Sequence, residues 1–99
     1  MTDMKQVRQT AVFRDWLAGL KDAGTKGAII DRIQRLRRGN AGDVAPVGEG
    51  ISEMRIHKGP GYRVYYIEQN ETVVVLLVGG TKKRQQADIK AAKELARGL

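Results

Sequence analysis

The chain has 99 residues, 41% of them hydrophobic, with no cysteine and one histidine. That length supports a single domain over residues 1–99 with one modest core; the lack of cysteine excludes disulfides and thiol chemistry, and the single histidine a multi-histidine zinc site. Eighteen Lys and Arg against eleven Asp and Glu give a net charge of +7, which attracts polyanions over about a Debye length, ~8 Å at physiological salt.

Nucleic acid is the first candidate partner for such a chain, an acidic protein the second and a membrane surface the third. The N-terminal stretch MTDMKQVRQT lacks the apolar run of a signal peptide. No segment approaches the roughly 20 apolar residues of a membrane span; the longest apolar run, Val73 to Val78, is strand-sized. A cytoplasmic protein with no membrane partner is expected.

In chain order, Met4 to Gln9 alternates weakly and predicts a short first strand. Phe13, Trp16, Leu17 and Leu20 follow at i, i+3, i+4 and i+7, the apolar face of a helix. Thr10 is placed to cap its start and Gly24 to end it. A second helix is predicted from Thr25 to Arg38, with Ile29, Ile33 and Leu36 as its buried stripe. Arg32, Arg35 and Arg38 lie on a more exposed side, where Asp31 can pair with Arg35. Asn40 to Gly50, with three Gly and one Pro, reads as a loop.

From Ile51 the period becomes two. Ser52, Met54 and Ile56 alternate with Glu53, Arg55 and His57, and Lys58-Gly59-Pro60-Gly61 is a turn. Tyr62 to Glu68 is the return strand of a β-hairpin. After a turn at Gln69 to Glu71 comes Val73 to Val78, apolar on both faces and therefore expected inside the sheet. Gly79-Gly80 is expected to end that strand, leaving the basic cluster Lys82-Lys83-Arg84. Gln85 to Arg97 predicts a final helix with Ile89, Ala92 and Ala96 on one side. The expected fold is α+β. It combines a small antiparallel β-sheet, made of a short N-terminal strand and a three-stranded meander, with two N-terminal helices on one face and a C-terminal helix.

The pleat places Glu53, Arg55 and His57 on one face, and Arg63 with Tyr65 on one face of the next strand. Across a tight hairpin Arg55 and Arg63 can share a side, and Lys82 begins where the next strand ends. Such a cationic patch suits cleavage of RNA without a metal: a ribose 2′-hydroxyl attacks its own phosphate, and fixed Arg and Lys stabilise the developing charge. His57, Glu53 and the lysines are the groups available for proton transfer. Tyr62 or Tyr65 could stack on a base. Lys58, Lys83, Arg84 and Tyr65 are the candidate contacts to RNA or ribosome. Taken singly these residues have plainer readings: solvated strand arginines, an inert turn histidine, and core positions for Tyr62 and Tyr66. Their convergence is what carries the expectation.

The segments Met54-Arg55-Ile56, Gly59-Pro60-Gly61-Tyr62-Arg63-Val64-Tyr65-Tyr66 and Val75-Leu76-Leu77-Val78-Gly79-Gly80-Thr81-Lys82, with Asp88-Ile89, carry a resemblance. From Phe13 to the final helix the chain resembles the RelE/ParE toxin superfamily, and within it the HigB-like addiction module killer branch. The resemblance implies the toxin of a type II toxin–antitoxin system, an mRNA interferase acting on the ribosome and inhibiting translation, with neither metal nor small-molecule cofactor. It implies a cognate antitoxin, typically a helix-turn-helix DNA-binding protein, as partner. By motif match Arg63 takes the place of the arginine at the scissile phosphate, Arg55 that of another basic strand residue, and Lys82 that of the basic residue after the glycine pair. The chain departs from RelE in offering Glu53 and Arg55 where RelE has lysines. It also has no tyrosine in the C-terminal region, so His57, then Lys82, are the substitute candidates for acid–base work. ParE relatives share the fold and poison DNA gyrase instead, and an inactive binding module on the same fold is the third reading.

Overall fold

The structure, a computed structural model, describes residues 4–99; the first three residues of the stretch read for a leader lie outside them. The elements in order are β1 (Gln6–Gln9), α1 (Ala11–Ala18), α2 (Ala23–Arg37), β2 (Val44–Gly48), β3 (Ile51–Ile56), β4 (Tyr62–Asn70), β5 (Val73–Thr81), a short 3₁₀ turn (Lys82–Arg84) and α3 (Gln85–Arg97).

Both N-terminal helices begin at side-chain caps. Thr10 Oγ1 accepts from the Phe13 amide at 3.0 Å and donates to the Leu77 carbonyl at 2.6 Å, so the same hydroxyl starts α1 and ties it to β5. Asp22 accepts from the amide and the hydroxyl of Thr25, at 2.8 and 2.6 Å. These bonds hold the Asp22 carboxyl below the usual carboxylate range. They also start α2 at Ala23, two residues before the sequence pattern does, so Gly24 lies inside α2 and α1 closes earlier, at Gly19.

The sheet has five strands in the order β1-β5-β4-β3-β2. Two features correct the expected all-antiparallel, four-stranded sheet. First, β1 pairs with β5 in parallel, Gln6 opposite Val73 through Gln9 opposite Leu76, which makes the sheet mixed. A parallel neighbour is reached only through a long crossover, here the helices and the meander. Second, the stretch expected as a loop contains β2, which pairs antiparallel with β3. Pro46 and Gly48 flank a register shift there, and an outermost strand is where a proline and a bulge are tolerated.

The strand β4 lies at the centre of the sheet, and its two faces bury different cores. Val64 and Tyr66 join Met54, Ile56, Val74 and Leu76 under Phe13 of α1 and Ile29, Ile33 and Leu36 of α2. On the other face Tyr65 packs with Ile51, Val75, Leu77 and Val78 under Ala92 of α3, with Ile89 and Ala96 alongside. The C-terminal helix thus covers the second apolar face of β5.

Gly79 and Gly80 do not end β5, which continues to Thr81. Their role is space. A Cβ on Gly79 would fall within the Trp16 indole, and one on Gly80 would fall against the Asp88 carboxylate. The two glycines let α1 and α3 approach the same strand from opposite sides.

Candidate functional site

The tight hairpin fixes the register of β3 against β4 and sets Arg55 directly opposite Arg63. Like charges across a strand pair repel, and here Glu53 lies between them. It is 1% exposed. Its Oε1 accepts from Arg55 Nε at 3.1 Å and stands 3.8 Å from Arg63 Nε. Its Oε2 accepts from the Tyr65 hydroxyl at 3.1 Å and from Gln85 Nε2 at 2.6 Å. A carboxylate withdrawn from water is tolerable only with such partners. The sequence reading treated Glu53 as a proton-transfer candidate; its place is instead the buried centre of a network joining β3, β4 and α3.

Arg63 is itself buried, at 8% exposed, and its Nε has no hydrogen-bond partner. It lines a shallow cleft of about 350 Å³, together with His57, Lys58, Gly59, Pro60, Gly61 and Lys82. The turn builds this cleft. Gly59 and Gly61 adopt φ of 55° and 81°, a region that disfavours side chains. The Gly61 carbonyl accepts from the Lys82 amide at 2.9 Å, which holds the end of β5 against the turn.

At the lip stands His57, largely exposed, with Nε2 2.6 Å from Asp43 Oδ2. Asp43 is not free to wander. Its carbonyl accepts from the Arg55 amide at 3.0 Å. Arg32, reaching over from α2, donates to the carbonyls of Arg55 at 2.6 Å and Ala41 at 3.0 Å. The hydrogen bond from His57, with Arg55 nearby, holds the Asp43 carboxyl below the usual carboxylate range.

The structure thus gathers Arg63, His57, Lys58 and Lys82 around one cleft, with Arg55 beside Arg63 on the same face. It does not bring Lys83 and Arg84 there; both are exposed on the 3₁₀ turn, outside the cleft lining. Tyr65 offers no stacking surface, being fully buried. Burial and the Glu53 charge push its phenol pKa up, so it stays a neutral donor. Tyr66 is in the core as expected, and Tyr62 packs against that core. Sequence reasoning missed Asp43, which lies on a bend just before β2, and Gln85, which lies 32 positions from Glu53. It also missed Asp88, a buried carboxylate whose Oδ2 has no partner. Of these three only Asp88 carried a signal, as part of the Asp88-Ile89 pair on which the resemblance draws.

The chain as a whole is similar to known proteins in sequence and in fold. The profile of the phage-derived Gp49-like proteins (DUF891) matches residues 15–98. An uncharacterized protein of Haemophilus influenzae is 49% identical over 94 residues, covering 95% of each chain. Among solved structures, a chain of the toxin–antitoxin complex RelBE2 from Mycobacterium tuberculosis matches with a TM-score of 0.62 and 24% identity, over 80% of this chain and 99% of that one. The α+β arrangement described above is therefore the RelE-type fold expected from the sequence, with a mixed sheet.

Proposed function

The chain belongs to the phage-derived Gp49-like family, and on that premise we propose that it is the toxin of a type II toxin–antitoxin pair. Its activity in this reading is cleavage of messenger RNA, in the manner of the HigB-like branch, on the ribosome and without a metal. One observation carries the proposal. Arg63 and Lys82 line a single cleft, and Arg55 stands opposite Arg63 on the same face of the sheet.

That arrangement suits phosphodiester transfer. When a 2′-hydroxyl attacks the adjacent phosphorus, negative charge accumulates on the non-bridging oxygens. A guanidinium already fixed in place stabilises it without reorganising. The Glu53 network fixes Arg55 directly and borders Arg63, and burial restricts the rotamers of Arg63. Lys82 adds a further cation from the 3₁₀ turn that follows β5. Lys58, and Lys83 and Arg84 further along the surface, supply the diffuse positive field that attracts RNA and ribosome.

The partner follows from the same charge. A net charge of +7 favours an antitoxin segment of acidic character. The RelBE2 chain sharing this fold was solved in a toxin–antitoxin complex, which supports an antitoxin as the partner here; that this antitoxin is a helix-turn-helix DNA-binding protein belongs to the same proposal.

The test is to express wild type and Arg63→Ala in turn, follow growth, and map transcript 5′ ends after brief induction. Wild type is expected to arrest growth and create new 5′ ends. Arg63→Ala is expected to lose about 10²–10³-fold in cleavage, the usual effect of removing one fixed donor to a transition-state oxygen, while keeping its circular dichroism. A folded Arg63→Ala protein that still cuts RNA would overturn the reading. So would DNA damage with intact transcripts, which marks a gyrase poison.

A further inference from the structure

We infer that His57 and Asp43 act as a pair, with His57 Nδ1 as the base that takes the 2′-hydroxyl proton and Asp43 as the residue that positions the ring. This rests on the RNA-cleavage reading above and assigns the step that the absent C-terminal tyrosine leaves open.

Three observations lead there. The first is elimination within the cleft. Its lining consists of His57, Lys58, Arg63, Lys82 and the Gly-Pro-Gly turn. Lysine and arginine are protonated at neutral pH and the turn residues have no basic side chain, so among these side chains His57 alone can accept a proton. The second is the short contact from Nε2 to Asp43 Oδ2 at 2.6 Å. An aspartate carboxyl at the surface is ionised at neutral pH, and an ionised carboxylate only accepts. Nε2 must therefore carry the hydrogen, and in the neutral ring Nδ1 is the bare nitrogen.

The third is the anchoring of Asp43. A pair this exposed is ordinarily loose and worth little. Here the Arg55 amide and the Arg32 guanidinium hold the backbone around Asp43 at several points, and Arg55 Nη1 lies 3.8 Å from its Oδ1. The charged groups facing the ring are Asp43 behind it, Arg55 beyond Asp43, and Lys58, Arg63 and Lys82 across the cleft.

The step balances as follows. The 2′-oxygen forms a bond to phosphorus as its proton passes to His57 Nδ1. The bond from phosphorus to the 5′-oxygen breaks, and that oxygen leaves with the electron pair and takes a proton from water. The products are a 2′,3′-cyclic phosphate and a 5′-hydroxyl, and the imidazolium returns its proton to the hydroxide so formed.

The test uses the full chain on programmed ribosomes, under single-turnover conditions, with wild type, His57→Gln, Asp43→Asn and the double variant. His57→Gln is expected to slow cleavage by about 10²–10⁴-fold with unchanged ribosome affinity. Asp43→Asn is expected to fall between wild type and His57→Gln. The double variant should be no slower than His57→Gln alone, because an orienting group has nothing left to orient. Asp43→Glu should recover part of the Asp43→Asn loss.

A second measurement needs no ribosome. His57 is the sole histidine, so its ring ¹⁵N resonances are unambiguous, and in the neutral ring they should report the Nε2–H form in wild type and a mixture in Asp43→Asn. Cleavage lost in Arg63→Ala but intact in His57→Gln would overturn the pair and leave the nuclease reading standing. Independent, additive losses would reduce Asp43 to a structural contact and overturn its part. A wild-type ring in the Nδ1–H form would overturn it as well. If wild type cuts no RNA, the nuclease reading falls first and the base assignment with it.

Discussion

The two faces of β4 are made from alternating residues of one strand, yet different physics holds each. Val64 and Tyr66 face α1 and α2 in a core built from apolar side chains. Arg63 and Tyr65 face the α3 side, where burial is shared between aliphatic groups and a network around Glu53. The apolar face gains stability from area removed from water and close packing. The other face carries the two buried side-chain atoms without hydrogen-bond partners among the described residues, Arg63 Nε and Asp88 Oδ2. Unsatisfied buried polar atoms are uncommon in folded proteins and gather where function overrides packing. The pleat therefore divides the work, with stability on one side of the strand and charge on the other.

The sharpest way to break this division is a pair of truncations of similar cost. Phe13→Ala empties a site that is 0% exposed and is expected to lower unfolding free energy by about 3–5 kcal/mol. Glu53→Ala leaves Arg55 and Arg63 facing each other without their shared carboxylate and is expected to cost about as much, ~3–5 kcal/mol. Urea unfolding measures both. The difference should appear in cleavage per folded molecule, unchanged for Phe13→Ala and reduced for Glu53→Ala. An equal loss of activity in both would mean that the faces are not separable.

The glycine pair provides a smaller probe. Gly79→Ala drives a methyl into Trp16 on the apolar side, and Gly80→Ala drives one into Asp88 on the charged side. Each is expected to cost about 1–3 kcal/mol through overpacking. Only Gly80→Ala, whose position pairs with Arg63, should also change cleavage by the folded protein.

The apolar face was legible in the sequence and much of the charged face was not, for reasons tied to distance along the chain. Phe13, Trp16 and Leu17 repeat at helical spacing, and Tyr62, Val64 and Tyr66 alternate, so local periodicity reveals them. The Arg55–Arg63 pairing was legible because a short turn fixes register. Asp43 meets His57 from a bend just before β2, 14 positions away, and Gln85 meets Glu53 across 32 positions. No local pattern encodes such meetings. Tyr65 reads as a polar-face residue beside Arg63, and only the docking of α3 buries it. Gly79-Gly80 looks like a strand terminator because sequence shows the missing side chains but not the indole and carboxylate that occupy their space.

The smallest effect concerns Asp88. It lies in the first turn of α3, where a helix N-terminus favours negative charge, and Arg84 Nε stands 3.8 Å from its Oδ1. Burial outweighs the Arg84 guanidinium and pushes the Asp88 pKa up. An acid whose pKa is raised on folding binds its proton more tightly folded than unfolded. Its contribution to stability is complete below the unfolded value, about 4, and is lost as pH rises through the folded value. Asp88→Asn removes that titration while keeping the shape. The variant should therefore gain on wild type as pH is raised from about 4 towards neutrality, read as a widening gap between urea midpoints. A gap independent of pH would show that Asp88 ionises freely in the folded protein. Its Oδ2 would then have a partner, and Arg63 Nε would stand alone as the unsatisfied buried atom of the charged face.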